Sequence, residues 1–347
     1  MPPMKFAVIV CLLTTWLVAA RAQPAATPTA PASGGGYLFV TFKGEKDPLG
    51  EQIYFGLSQD GRHWQALNGG QPVLISPVGE KGVRDPYLLR SHDGRKFYLL
   101  ATDLSTVLHP GWTRATHAGS QSLVIWESTD LVKWSEPRLV HVAPADAGCT
   151  WAPEAVYDED TQDYLVFWAS TTRSDNFTKQ RIWGARTQDF RTFGAPFIYV
   201  AKTRDVIDAD IVREGGICYR FSKDETFKAI TLESSDKLMG PWREMTGFSL
   251  AKMTGYEGPE GFVLAPASAG QPAVWGLWLD HYSRGDGYKL FVTHDLSGGQ
   301  FTPATNFSFP FRFRHGFPLA ITADEYQRLT QAYGQPVPPA APAAAAQ

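Results

Sequence analysis

The stretch "KGVRDPYLLRSHDGRKFYLLAT", from Lys81 to Thr102, decides how the rest of the chain is read. Two apolar runs flank His92-Asp93-Gly94, a turn signal, so the stretch reads as a β-hairpin. Its first strand opens on Arg84-Asp85-Pro86, which places a carboxylate at the mouth of an otherwise apolar strand. The same grammar recurs in "WAPEAVYD" (151–158), "IDADIVRE" (207–214), "EGPEGFVL" (257–264) and "RHGFPLAIT" (314–322). Asp85, Glu154, Asp208, Glu257 and His315 are 69, 54, 49 and 58 residues apart, and each gap has room for one four-stranded meander.

A second series interleaves with the first: an apolar strand, then Ser or Thr, then Asp, then usually an aromatic. It runs through "YFGLSQDGRHW" (54–64), "VIWESTDLVKW" (124–134), "WGARTQDFRTF" (183–193), "ITLESSDKLMGPW" (230–242) and "LFVTHDLSGGQF" (290–301). An Asp at this place bonds its own backbone and starts a turn. Each unit thus reads inner strand, middle strand, Ser/Asp strand, outer strand. With no helical pattern between them, the units predict an all-β, five-bladed β-propeller. The N-terminal strands "YLFVTFKG" and "QIYFGLSQD" have no inner strand before them, so "RHGFPLAIT" is expected to complete their blade and hide both edges. A short amphipathic helix is expected over 323–333.

Residues 1–22 read as an export signal: Lys5, a 15-residue apolar run, and "ARA" before Gln23. The run is short for a membrane span, and a secreted or periplasmic location follows. Residues 23–36 and 335–347 are rich in Pro, Ala and Gly and read as a disordered linker and tail, leaving 37–334 as the folded domain. Once the signal is removed with Cys11, Cys149 and Cys218 remain, either as a disulfide or as two thiols. The net charge of −3 gives no support to a nucleic-acid or anionic-membrane partner. A monomer is expected. Aromatic residues make up 13% of the chain, with 11 Trp, which suits a large β-core and sugar-stacking platforms alike.

In a propeller the inner strands line a central channel, so their first residues converge at one end of it. Carboxylates gathered there push one another's pKa values apart, and glycoside hydrolysis uses such a pair, one as acid and one as base. The ordered set "RDPYLLR", "WAPEAVYD", "IDADIV" and "EGPEGF" resembles the inner-strand motifs of glycoside hydrolase family 43, the five-bladed arabinofuranosidases and xylosidases, over nearly the whole folded region. The resemblance implies Asp85 as base, Asp208 as the residue that tunes and orients the acid, and Glu257 as acid. It also implies inversion at the anomeric carbon, with base and acid roughly 6.5–9.5 Å apart. Asp47 of "EKDPLG" and Glu260 remain as alternative base and acid, and Asp210 shares a strand face with Asp208.

Trp151, Glu154, Asp103, Trp168 and His315 are candidate sugar contacts. Trp112, Asp280, His281 and Arg284 are further candidates for subsite walls. No cofactor is required by this chemistry; a structural calcium in the channel would reach His315 through water, because calcium takes oxygen ligands. The insertion 105–121 is expected to wall the pocket and favour release of terminal sugars. Exo-galactanase and invertase-type chemistry remain alternatives, although the invertase motif "NDPNG" is missing. A catalytically silent carbohydrate-binding propeller is the reading from another class.

Overall fold

A computed structural model describes residues 35–334. The signal segment, most of the linker and the C-terminal tail lie outside the described residues. Five four-stranded antiparallel sheets form the blades. Blade I takes its inner strand from Val83–Arg90, blade II from Trp151–Asp158, blade III from Val206–Glu214 and blade IV from Glu257–Ala265. In blade V the inner strand, Phe317–Ile321, pairs with Gly36–Thr41, so C-terminal and N-terminal segments share one sheet. That strand starts at Gly36, one residue before the expected boundary.

Side chains alternate along each strand, so every blade feeds two neighbouring cores. In the middle strand of blade II, Tyr164, Val166 and Trp168 pack toward blade I while Leu165, Phe167 and Ala169 pack toward blade III. Five such apolar clusters fill the five gaps between blades. This continuity is why the chain closes into a ring.

The Ser/Asp series ends the third strand of each blade. The Asp60 and Asp130 carboxylates each accept two backbone N–H groups two and three residues on, and Asp189 does the same. The expected helix spans Ala323–Tyr333, capped by Thr322 and Glu325 in a reciprocal pair. Cys149 and Cys218 are both buried free thiols, so the disulfide alternative falls away. None of the described helices is long and apolar enough to cross a membrane.

Candidate active site

The inner-strand motifs align on their bulges, and the acids stand at different heights around them. Asp85, Ala152, Asp208 and Gly258 adopt left-handed backbone, with φ of 48°, 48°, 49° and 53°, each where the ladder to the middle strand slips. Such φ values are strained for any residue but glycine, with Asp and Asn the most tolerant of the rest. Gly258 is further constrained by its neighbour, since a Cβ there would lie 2.7 Å from His315 Cγ. Glu257 lies one residue before the bulge and Glu154 two after it, so the expectation that they are equivalent to Asp85 is corrected.

The result is three tiers down the channel. The upper tier is Arg84, Trp151, Ile207 and Glu257, all lining a funnel of about 830 Å³ open to solvent. The middle tier holds Asp85, Asp208 and His315. The lower tier holds Tyr87, Glu154, Asp210 and Glu260, and beneath it a second, mainly apolar cavity of about 400 Å³ opens at the other end of the ring. The candidate catalytic carboxylates belong to the upper two tiers, so the funnel is the reactive end.

Two consecutive residues organise the carboxylates. Arg314 Nη2 lies 3.1 Å from Glu257 Oε1 and its Nε 2.6 Å from Asp280 Oδ2. His315 turns the other way: Nδ1 is 3.6 Å from Asp85 and 4.0 Å from Asp208, and Nε2 is 3.1 Å from Glu260. Lys223 Nζ completes the grip on Glu257 at 2.9 Å. Thr102 donates its hydroxyl to Asp85 Oδ2 at 3.1 Å and accepts the Ala152 N–H at 2.8 Å. Asp208 Oδ2 accepts the Gly258 N–H at 3.1 Å, tying blade III to blade IV.

The electrostatics separate these acids. Burial lifts Asp208 to about 6 despite the opposing charge of His315. Burial also lifts Asp210 to about 7 and raises Glu154 and Glu260 well above the carboxylate range. For Glu257 burial again acts upward, but Lys223 and Arg314 outweigh it and the carboxyl falls below its ordinary value. Burial alone would lower His315; Asp208, the Glu260 hydrogen bond and Asp85 reverse that and lift it to about 10, so it is an imidazolium at neutral pH.

The remaining sequence candidates divide. Trp151 stands on the funnel wall, with Trp112 edge-on to it at 6.1 Å. Trp112 belongs to a one-turn helix, Trp112–His117, inside the 105–121 insertion. Arg284 is also on the wall. Trp168 is fully buried in the core between blades I and II, and Asp103 is buried under the turn at Gly79, accepting the Glu80 N–H at 2.7 Å. Neither reaches the funnel, which corrects both as sugar contacts: strand alternation turns Trp168 toward the neighbouring blade. Glu154 and His315 lie below the funnel surface, buried to 3% and 6% exposure. Asp280 is buried on Arg314 and His281 stacks on Tyr256. Asp47 sits in an exposed turn, accepting the Leu49 N–H, which leaves Asp85 as the Asp-Pro that faces the channel.

Sequence reasoning missed Arg314, Lys223 and Thr102. Arg314 directly precedes His315 in a motif already singled out. Lys223 is a lysine in an otherwise buried strand, a sign that it needs an anionic partner.

Glu154, Glu260 and His315 bring ligand atoms within 4.8 Å of one another. Oε2 of both glutamates has no hydrogen-bond partner among the described residues. Against the six to eight oxygens that calcium takes, two carboxylates and an imidazole are a short donor set. The residues present do not fit calcium, and no step is derived through it.

A family model described as a probable glycosyl hydrolase domain, related to family 43, matches residues 33–327. The chain belongs to glycoside hydrolase family 43. An α-L-arabinofuranosidase of Bifidobacterium longum subsp. longum is 32% identical over 264 residues, which is 65% of this chain and 25% of that protein. The chain thus spans about a quarter of the length of the curated relative it matches. Among solved structures, a GH43_12 protein from a capybara gut metagenome superposes with a TM-score of 0.54 at 12% identity, covering 86% of this chain and 60% of that one. The GH43 BlXynB protein of Bacillus licheniformis gives 0.50 at 15%, covering 80% and 54%. At these identities the likeness is one of fold, and it is the family-43 fold.

Proposed function

We propose that the protein is an exported, inverting glycosidase that removes terminal arabinofuranosyl or xylosyl units from plant cell-wall glycans. The observation that carries this is the convergence of Asp85, Asp208 and Glu257 from three blades on one end of the channel. Asp85, held by Thr102, is the base that activates water. Glu257 is the acid that protonates the leaving oxygen. Asp208, fixed by the Gly258 N–H and raised to about 6, tunes its neighbours. Trp151 and Trp112 offer apolar faces for a sugar ring. Export rests on the pattern of residues 1–22, and terminal release on the wall built by the 105–121 insertion.

Glu257 must carry a proton to act as the acid, yet Lys223 and Arg314 hold its carboxyl below the ordinary range. Substrate binding has to supply the rise, by displacing water and strengthening the burial that already acts upward.

The test is release of nitrophenol from the α-L-arabinofuranoside, β-D-xyloside, β-D-galactoside and α-L-fucoside, with Asp85→Asn beside the native protein. Turnover on the arabinoside or xyloside is expected, falling by about 10²–10⁴-fold in the variant, the usual contribution of a general base. Turnover that survives in Asp85→Asn removes Asp85 from the base role. Absence of turnover on every sugar favours the carbohydrate-binding alternative.

A further inference from the structure

Around the funnel the basic side chains outnumber the acidic ones, seven to four, on a chain of net charge −3. Most of those cations have partners: Lys223 and Arg314 hold Glu257, Arg84 holds Glu51, and Lys228 holds Glu225. Lys46, Arg284 and Arg312 form no ion pair among the described residues, although all three line the funnel. They share one side of it.

Arg312 gathers that side. Its Nη1 donates to Gly285 O at 3.2 Å and its Nη2 to Lys43 O at 3.0 Å, so it ties together the two loops that carry Arg284 and Lys46. At the junction two glycines keep space open. A Cβ at Gly44, where φ is 100°, would stand 3.1 Å from Arg312 Nη2 and 3.3 Å from Arg314 Nη1; one at Gly285 would stand 3.4 Å from Arg312 Nη1. Two guanidinium groups thus meet at the Gly44 edge. Glu257 and Asp280 neutralise Arg314, but no carboxylate in the described chain neutralises Arg312.

We propose that this side of the funnel is a subsite for an anionic substituent on the glycan, carried by a sugar adjacent to the one released. The proposal rests on the glycosidase reading above and names the substrate class within it. Guanidinium groups recognise carboxylate and sulfate by paired hydrogen bonds. The substituent is therefore a uronate carboxylate or a sulfate ester. A site built for neutral sugars alone has no use for three uncompensated cations along its entry.

The experiment is calorimetric binding to the full-length Asp85→Asn protein, which removes turnover from the readout. The probes are glucuronic-acid-substituted xylotriose, a glucuronic-acid-bearing arabinogalactan oligosaccharide, the carboxyl-reduced form of each, and a sulfated form of the reduced fragments. An acidic form binding about fivefold more tightly than its reduced form supports the proposal, with the preference shrinking in 0.5 M salt as screening requires. Arg284→Ala, at an exposed position, should bring the ratio of the two affinities toward one. A preference seen only for the sulfated fragment assigns the subsite to sulfate. Equal binding of all forms overturns the anionic subsite and leaves the glycosidase reading standing. Binding of none overturns both.

Discussion

The Thr102 hydroxyl is a small group with two obligations, to Asp85 and to the Ala152 amide. Thr102→Val keeps the shape and removes both bonds. The strained bulge at Ala152 then loses a partner for its N–H, and Asp85 loses its anchor. Steady-state kinetics on whichever nitrophenyl glycoside the native protein turns over should show kcat lower by about tenfold or more with KM little changed, because misplacing a reacting group acts on the chemical step. Glu257 makes a second residue-scale prediction. Its pKa is depressed in the free protein, so the protonated acid is lost earlier as pH rises. The alkaline limb of kcat/KM, which reports the free protein, should lie at lower pH than the limb of kcat, which reports the complex. Coincident limbs would mean that substrate does not shift Glu257. None of this pairing was legible in the sequence beyond the acids themselves. Lys223 and Thr102 lie in middle strands whose apolar patterns hide what they face across the ladder.

At the scale of elements, the helix Ala323–Tyr333 was readable from its amphipathic pattern, and the structure adds that Thr322 and Glu325 cap its start. The carboxylate of Glu325 also grips Arg90 of blade I in a two-pronged pair at 2.6 and 2.8 Å, so the helix fastens blade V to blade I. Thr322→Ala should cost about 1 kcal/mol, the usual value of an N-cap, seen as a lower urea midpoint. Turnover at low denaturant should be unaltered, since the helix does not reach the funnel. The inner strands were equally readable from their apolar runs. Their bulges were not. Asp85, Ala152, Asp208 and Gly258 share one backbone conformation with three different side chains, so no common letter flags it. For the same reason the acids look equivalent in sequence and stand on three tiers in space.

For the whole molecule, the number of blades and the sharing of blade V between the two ends of the chain followed from the two interleaved series. Which aromatic faces sugar and which fills a gap between blades did not, as Trp168 shows, because both kinds sit at alternating strand positions. Closure makes the ring depend on its last strand. A chain ending at Arg314 would leave Gly36–Thr41 an unpaired edge. It should fail to give the sharp single unfolding transition of the full chain and should elute as aggregate in size-exclusion chromatography. A truncated chain that stays monomeric and unfolds cooperatively would show that four blades suffice.

The split blade also sets an order of events during synthesis. Asp85 leaves the ribosome early, Asp208 and Glu257 later, and the Arg314–His315 pair that holds them apart comes near the end. Blades I to IV have all their strands before that pair emerges. The first strand, Gly36–Thr41, waits unpaired on one side until residue 321 has been made. A nascent chain therefore carries its acids without the cations that keep them in register, and the reactive centre is assembled in the same moment that the ring shuts.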